Sequence, residues 1–173
     1  MHSPTPTIVL VHGAFTDASS WAGVISLLQA AKSVVRVPAN PLRGLAQDAA
    51  YIRSVVHDID VPVVLVGHDY GGAVITHVMS VAQRPIAQSA LTSRSGPPAW
   101  ASKPSWYAIA SAGRLLSPTA QRFMAQRMAA TEYVLDASHA VALSQPDAMV
   151  AMIREAAEQS TGRGSGDELR HLF

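Results

Sequence analysis

The chain has 173 residues, 49% of them hydrophobic, and a formal net charge of +1 at pH 7. That length and apolar fraction suit one compact domain with a substantial core, and the 13 basic residues are too scattered to give an electrostatic footprint for nucleic acid. With no cysteine, disulfides and thiolate metal sites are excluded; the seven histidines form neither an HExxH pair nor a Cys/His cluster, so no metal or other cofactor is expected.

The N-terminal Met1-His2-Ser3-Pro4 lacks a basic region followed by an apolar run. The longest apolar stretches, such as Val61 to Val66, are far too short to span a bilayer. The expectation is a cytoplasmic protein with a small-molecule substrate and no membrane partner.

Ile8 to Val11 is a β-branched apolar run stopped by Gly13, the pattern of a parallel strand buried on both faces. Trp21, Val24, Ile25 and Leu28 then form one helical stripe, with Ser19 or Ser20 as the expected N-cap. Val34 to Val37 reads as a second strand, closed by Pro38 and Pro41. Leu45, Ala49, Ile52 and Val56 make a second helical stripe, and Val63 to Val66 a third strand. Gly67 to Gly72 turns sharply into an apolar helix over Ala73 to Gln83.

Arg84 to Pro104 is proline-punctuated and reads as loop, with one short helix around Ile86 to Leu91. A fourth strand is predicted at Trp106 to Ala110. Ser117-Pro118 opens a helix to about Ala130, since proline fits a first helical turn. Tyr133 to Leu135 is a fifth strand. Ser144 to Asp147 opens the last helix, whose buried face carries Met149, Met152, Ile153 and Ala156. From Thr161 the glycine-rich sequence reads as a flexible tail. The organisation is therefore one α/β domain over residues 1–160, followed by a tail over 161–173. It should form a three-layer α/β/α sandwich around a mostly parallel sheet of about five strands.

The chemistry concentrates at Gly67-His68-Asp69-Tyr70-Gly71. A strand, a turn with one polar residue at its apex and a glycine pair opening a helix together make a nucleophile elbow with Asp69 at its tip. No Gly-Lys-Ser/Thr follows, so it is not a phosphate-binding loop. A phospho-acceptor aspartate would not need the glycine pair. After the first strand, His12-Gly13-Ala14-Phe15 faces the elbow in such a fold, so the backbone amides of Ala14 and Tyr70 are the candidate oxyanion hole. His12 reads as a loop-shaping residue. In the expected chain order the base comes last, beyond the final strand, where His139 stands. His57 and His77 read as packing residues of helices, and His68 as pointing away from the tip.

Several segments resemble the small bacterial α/β hydrolases of the esterase type: Val9 to Trp21, Pro38 to Gly44, Val66 to Ala73, Gln83 to Ile86, Ser95 to Trp100, Ala120 to Met124 and Asp136-Ala-Ser-His139. The likeness runs to about residue 159 and implies an α/β-hydrolase fold and a Ser–Asp–His hydrolase. Three departures stand out. Asp69 replaces the elbow serine, as in epoxide hydrolases and in haloalkane or haloacetate dehalogenases. Gly113 occupies the position of the triad acid, which leaves Asp136 and, more remotely, Asp17 as carboxylates for His139. A core strand and the lid domain that the family carries before Gln83 are missing, which makes this a truncated version of the fold.

The implied activity is hydrolysis of a small ester, epoxide or haloalkane through Asp69 as nucleophile and His139 as base. Tyr70 and Tyr107 are the nearest tyrosines for protonating an opened epoxide. The same departures also fit an impaired relative acting as a binding or scaffold module. With one strand missing, either the strand at Trp106 moves beside Val63 to Val66, or a gap remains whose unpaired edges favour a homodimer.

Overall fold

The computed structural model describes residues 4–80, 100, 103–161 and 169–172. Among the described residues, six parallel strands form one sheet in the order β2-β1-β3-β6-β4-β5. They are β1 (Thr7–Val11), β2 (Val34–Arg36), β3 (Val63–Gly67), β4 (Ser105–Ala110), β5 (Thr131–Leu135) and β6 (Leu169–Leu172). The helices are α1 (Ala22–Ala30), α2 (Leu45–His57), α3 (Tyr70–Ser80), α4 (Pro118–Arg127), α5 (Val141–Ser144) and α6 (Pro146–Thr161), with a 3₁₀ turn at Ala18–Trp21.

The two-residue alternation of β1 and β3 divides the core. Ile8, Leu10, Val64 and Val66 face one side, where they pack with Leu28 of α1 and with Met152 and Ile153 of α6. Val9, Val11, Val63 and Leu65 face the other, against Ile52 of α2 and Val74 and Ile75 of α3. Every residue of β1 and β3 is buried. Each such Val, Leu or Ile contributes about 1.5–3 kcal/mol over its exposed state, so these two strands anchor the three-layer sandwich.

Local signals account for most element ends. The Ser117 side chain accepts a hydrogen bond from the Ala120 amide at 3.2 Å, with Pro118 in the first turn of α4. Asp17 caps the 3₁₀ turn that leads into α1, its carboxylate accepting from the Ser19 amide at 2.8 Å, and α1 itself starts after Trp21 with no side-chain cap from Ser19 or Ser20. α5, a single turn after His139, was not expected. The helix expected around Ile86 to Leu91 lies outside the described residues, as does most of the Arg84 to Pro104 loop.

The sheet differs from both sequence expectations. β4 does not move beside β3, and no gap remains between them. β6, from the end of the expected flexible tail, runs parallel between the two. Val63 to Val66 align with Leu169 to Leu172, and Ser105 and Trp106 with His171 and Leu172. The physical reason is hydrogen bonding, since the facing edges of β3 and β4 would otherwise leave buried amides and carbonyls unpaired.

Candidate active site

Asp69 sits where β3 turns into α3, with φ +53°, a left-handed conformation that costs a non-glycine residue on the order of 1–2 kcal/mol. The turn is closed by Gly71 N–H donating to His68 O at 2.8 Å and Gly72 N–H to Asp69 O at 2.9 Å. His68 N–H ties it to the end of β1 through Val11 O at 3.1 Å. A Cβ on Gly71 would lie 2.3 Å from Val11 O, and one on Gly67 would lie 2.6 Å from the Gly71 carbonyl, so side chains at either position would force strand and helix apart. These glycines are required by close approach, and the approach lifts Asp69 off the sheet.

His139 reaches the same place from the loop after β5. Its Nε2 lies 3.6 Å from Asp69 Oδ1, with both side chains about one-third exposed. That is ion-pair range and slightly longer than a hydrogen bond, within reach of a bridging water. The His139 carbonyl accepts from the Val141 amide at 3.0 Å and from His68 Nε2–H at 2.8 Å. His68 therefore does not point away. Its ring sits 4.8 Å from that of His139 and edge-on to Trp21, and it holds the His139 loop by its backbone. Burial lowers the His68 pKa below the usual histidine value and keeps the ring neutral. The left-handed residue at 69 breaks strand alternation, so both His68 and Asp69 line the cavity.

The other oxygen of Asp69 faces the loop after β1. Oδ2 lies 3.1 Å from where a Cβ on Gly13 would stand. Ala14 follows Gly13, and Tyr70 begins α3. Among the described residues neither the Ala14 nor the Tyr70 amide has a hydrogen-bond partner, the latter as expected for the first N–H of a helix. His12 is buried and structural: its Nδ1–H donates to Gly13 O at 3.0 Å, and Nε2 accepts from the Asn40 amide at 3.0 Å.

No carboxylate orients His139 among the described residues. Gly113 is walled in, since a Cβ there would stand 2.8 Å from Gln121 Nε2 and 2.9 Å from Leu116 O. Buried Gln121 accepts from the Ala110 amide and donates to the carbonyls of Ala110 and Leu116. Asp136 is exposed and accepts from the Ser111 hydroxyl at 3.4 Å, and Asp17 is committed to the Ser19 amide. Of the two tyrosines, only Tyr107 lines the cavity, and burial raises its pKa. Tyr70 gives its hydroxyl to Asp48 at 2.7 Å; burial and that bond push its pKa up to about 12. His57 is exposed on α2 and His77 half-buried on α3, and neither lines the cavity.

Asp69, His68 and His139 open into a cavity of about 530 Å³ with largely apolar walls, including Trp21, Met124, Val141 and Met149. That size suits a small organic molecule. Among the described residues no three His, Asp or Glu side chains cluster to hold a metal ion, and no helix is long and apolar enough to cross a membrane.

Comparison with known proteins bears on the fold. Residues 8–93 match the sequence profile of the alpha/beta hydrolase family. Among solved structures, a pyrethroid hydrolase from Sphingobium faniae JZ-2 superposes with a TM-score of 0.70 at 16% identity, over 88% of this chain and 97% of that one. The thioesterase domain from the curacin biosynthetic pathway gives 0.67 at 15%, over 87% and 91%. A histidine-to-alanine variant of tomato methylketone synthase I, complexed with β-ketoheptanoate, gives 0.64 at 14%, over 90% and 98%. No curated protein matches significantly. By its sheet and these likenesses, the chain has the α/β-hydrolase fold.

Proposed function

We propose that the chain is a hydrolase of small epoxides, haloalkanes or esters in which Asp69 is the nucleophile and His139 the base, an esterase-type scaffold turned to alkyl chemistry by the aspartate. The observation that carries this reading is the elbow carboxylate 3.6 Å from the His139 ring, at the floor of an apolar cavity. Neighbours named pyrethroid hydrolase and thioesterase support the reaction class.

The chemistry follows from the nucleophile. An Asp69 oxygen attacks an electrophilic carbon and an alkyl ester forms on Asp69; a carbon–halogen bond breaks with release of halide, or an epoxide carbon–oxygen bond breaks and its oxygen takes a proton from the Tyr107 hydroxyl, which is restored from water. His139 takes a proton from water, whose oxygen adds to the carboxyl carbon of Asp69. The Ala14 and Tyr70 amides hold the oxyanion that forms there. Collapse expels the alcohol, which receives the proton from His139. Attack on an acyl carbon would instead give an anhydride, so an alkyl carbon suits Asp69 better. His68 contributes by fixing the backbone of the base loop.

The test is a screen against epoxides, haloalkanes and p-nitrophenyl esters, with intact-mass detection of an adduct on Asp69. Turnover that survives Asp69→Asn, or no turnover and no adduct from any class, sinks the proposal; the latter result leaves the impaired binding relative.

A further inference from the structure

Asp48 on α2 is fully buried, with 0% exposure, an unusual place for a carboxylate. Its Oδ1 accepts from the Arg43 amide at 3.0 Å. Its Oδ2 accepts from the Gly44 amide at 3.3 Å and from the Tyr70 hydroxyl at 2.7 Å. Burial pushes the carboxyl up, but these hydrogen bonds outweigh it and hold Asp48 below the usual carboxylate range. An ionised carboxylate satisfied by three donors is a rigid joint.

The same short loop, residues 40–44, is fastened at its other end. Buried Asn40 donates its amide to His12 Nε2 at 3.0 Å and its side-chain N–H to His12 O at 3.2 Å. His12 in turn donates to Gly13 O. A continuous chain of contacts thus runs from Tyr70 through Asp48, the 40–44 loop and His12 to the segment carrying Ala14. Its two ends are Tyr70, next to Asp69 in the chain, and the Gly13 segment against which the Asp69 side chain lies.

We propose that Asp48, the Tyr70 hydroxyl and Asn40 are positioning residues: a hydrogen-bonded yoke that sets the separation of the Ala14 and Tyr70 amides and so the stabilisation of charge at Asp69. This inference rests on the Asp69 reading above. The yoke gives the elbow tyrosine a task that its backbone amide alone does not require. It also explains a carboxylate buried beside the apolar stripe of α2. Oxyanion donors act only where the charge develops, so a loosened yoke should slow chemistry without weakening substrate binding.

The experiment compares the full chain with Tyr70→Phe, Asp48→Asn and Asp48→Ala, using styrene oxide as the probe. In Tyr70→Phe, kcat should fall about tenfold, with KM within about twofold, since a misplaced donor costs less than the 10²–10³ of a deleted one. Asp48→Ala should lose about a hundredfold, and Asp48→Asn should recover part of that loss, because its side chain still serves the Arg43 amide and the Tyr70 oxygen. The second readout needs no activity: the ¹⁵N order parameter of the Ala14 amide should drop in Tyr70→Phe from about 0.85 toward 0.6. An Ala14 order parameter unchanged in that variant overturns the yoke whatever the kinetics, as does a raised KM at unchanged kcat. If the parent neither turns over styrene oxide nor forms an adduct, the functional reading fails, and the order parameter alone decides the yoke.

Discussion

Replacing Gly71 by alanine tests the elbow at its tightest point. The added Cβ would stand 2.3 Å from Val11 O and 2.8 Å from His12 O. Both neighbours are backbone, so no rotamer change relieves the contact, and the end of β1 or the elbow must move by about 1 Å. Overpacking of this kind costs about 1–3 kcal/mol, and the absence of any flexible neighbour puts it near the top of that range. The same shift strains the hydrogen bond from the His68 amide to Val11 O, about 1 kcal/mol more. A total of roughly 3–4 kcal/mol lowers Tm by roughly 6–16 °C for a chain of this length. Urea unfolding followed by tryptophan fluorescence, with a thermal melt alongside, measures it. Gly23→Ala in α1 is the control. Its Cβ would meet Pro146 Cβ at 3.2 Å, a mild contact offset by the roughly 1 kcal/mol helix preference of alanine over glycine. A Gly71→Ala protein within about 1 kcal/mol of the parent would refute the close approach of strand and helix on which the site is built.

Other expectations address the site residues. His139→Gln should let the alkyl-enzyme accumulate in intact-mass spectra, its hydrolysis slowed by about 10²–10⁴, the usual contribution of a positioned base. Because the folded-state pKa of His68 is lowered, the unfolded chain binds more protons between that value and 6.5. Stability should therefore be intact above about pH 6.5 and decline as pH falls through the folded value, with a shallower decline in His68→Gln, as read by urea midpoints across pH. Asp69→Ser with Gly113→Asp should gain no ester activity over Asp69→Ser alone, and should lose about 1–3 kcal/mol of stability, because a Cβ at 113 runs into Gln121 and Leu116 O.

Much of this architecture is legible in the sequence where one physical cause acts locally. The runs at Ile8–Val11 and Val63–Val66 leave no polar face, so they must lie in the middle layer. The glycine pair at 71–72 beside a lone aspartate marks a strand turning directly into a helix. Ser117-Pro118 marks a helix start without reference to anything distant. β6 escapes such reading because Leu-Arg-His-Leu follows a glycine-rich stretch. What makes it a strand is the vacant edge of β3, more than 100 residues away in the chain. His68 was misplaced for a related reason: counting alternate faces along a strand fails once Asp69 takes a left-handed conformation. Asp48 offered a signal, a charge four residues before Ile52 beside an apolar stripe, but its partner Tyr70 comes near only when α2 and α3 pack.

In the proposed reaction an Asp69 carboxylate, and no free water or other side chain, makes the first bond to substrate. One turnover of styrene oxide in heavy-oxygen water, with enzyme in excess, followed by mass spectrometry of the peptide containing Asp69, tests it most directly. Water adds to the carboxyl carbon of Asp69 when the alkyl ester is hydrolysed, so the account predicts that the heavy oxygen appears in the Asp69 carboxylate and that the first diol released carries none. A first diol carrying the label, with an unlabelled Asp69, would contradict it.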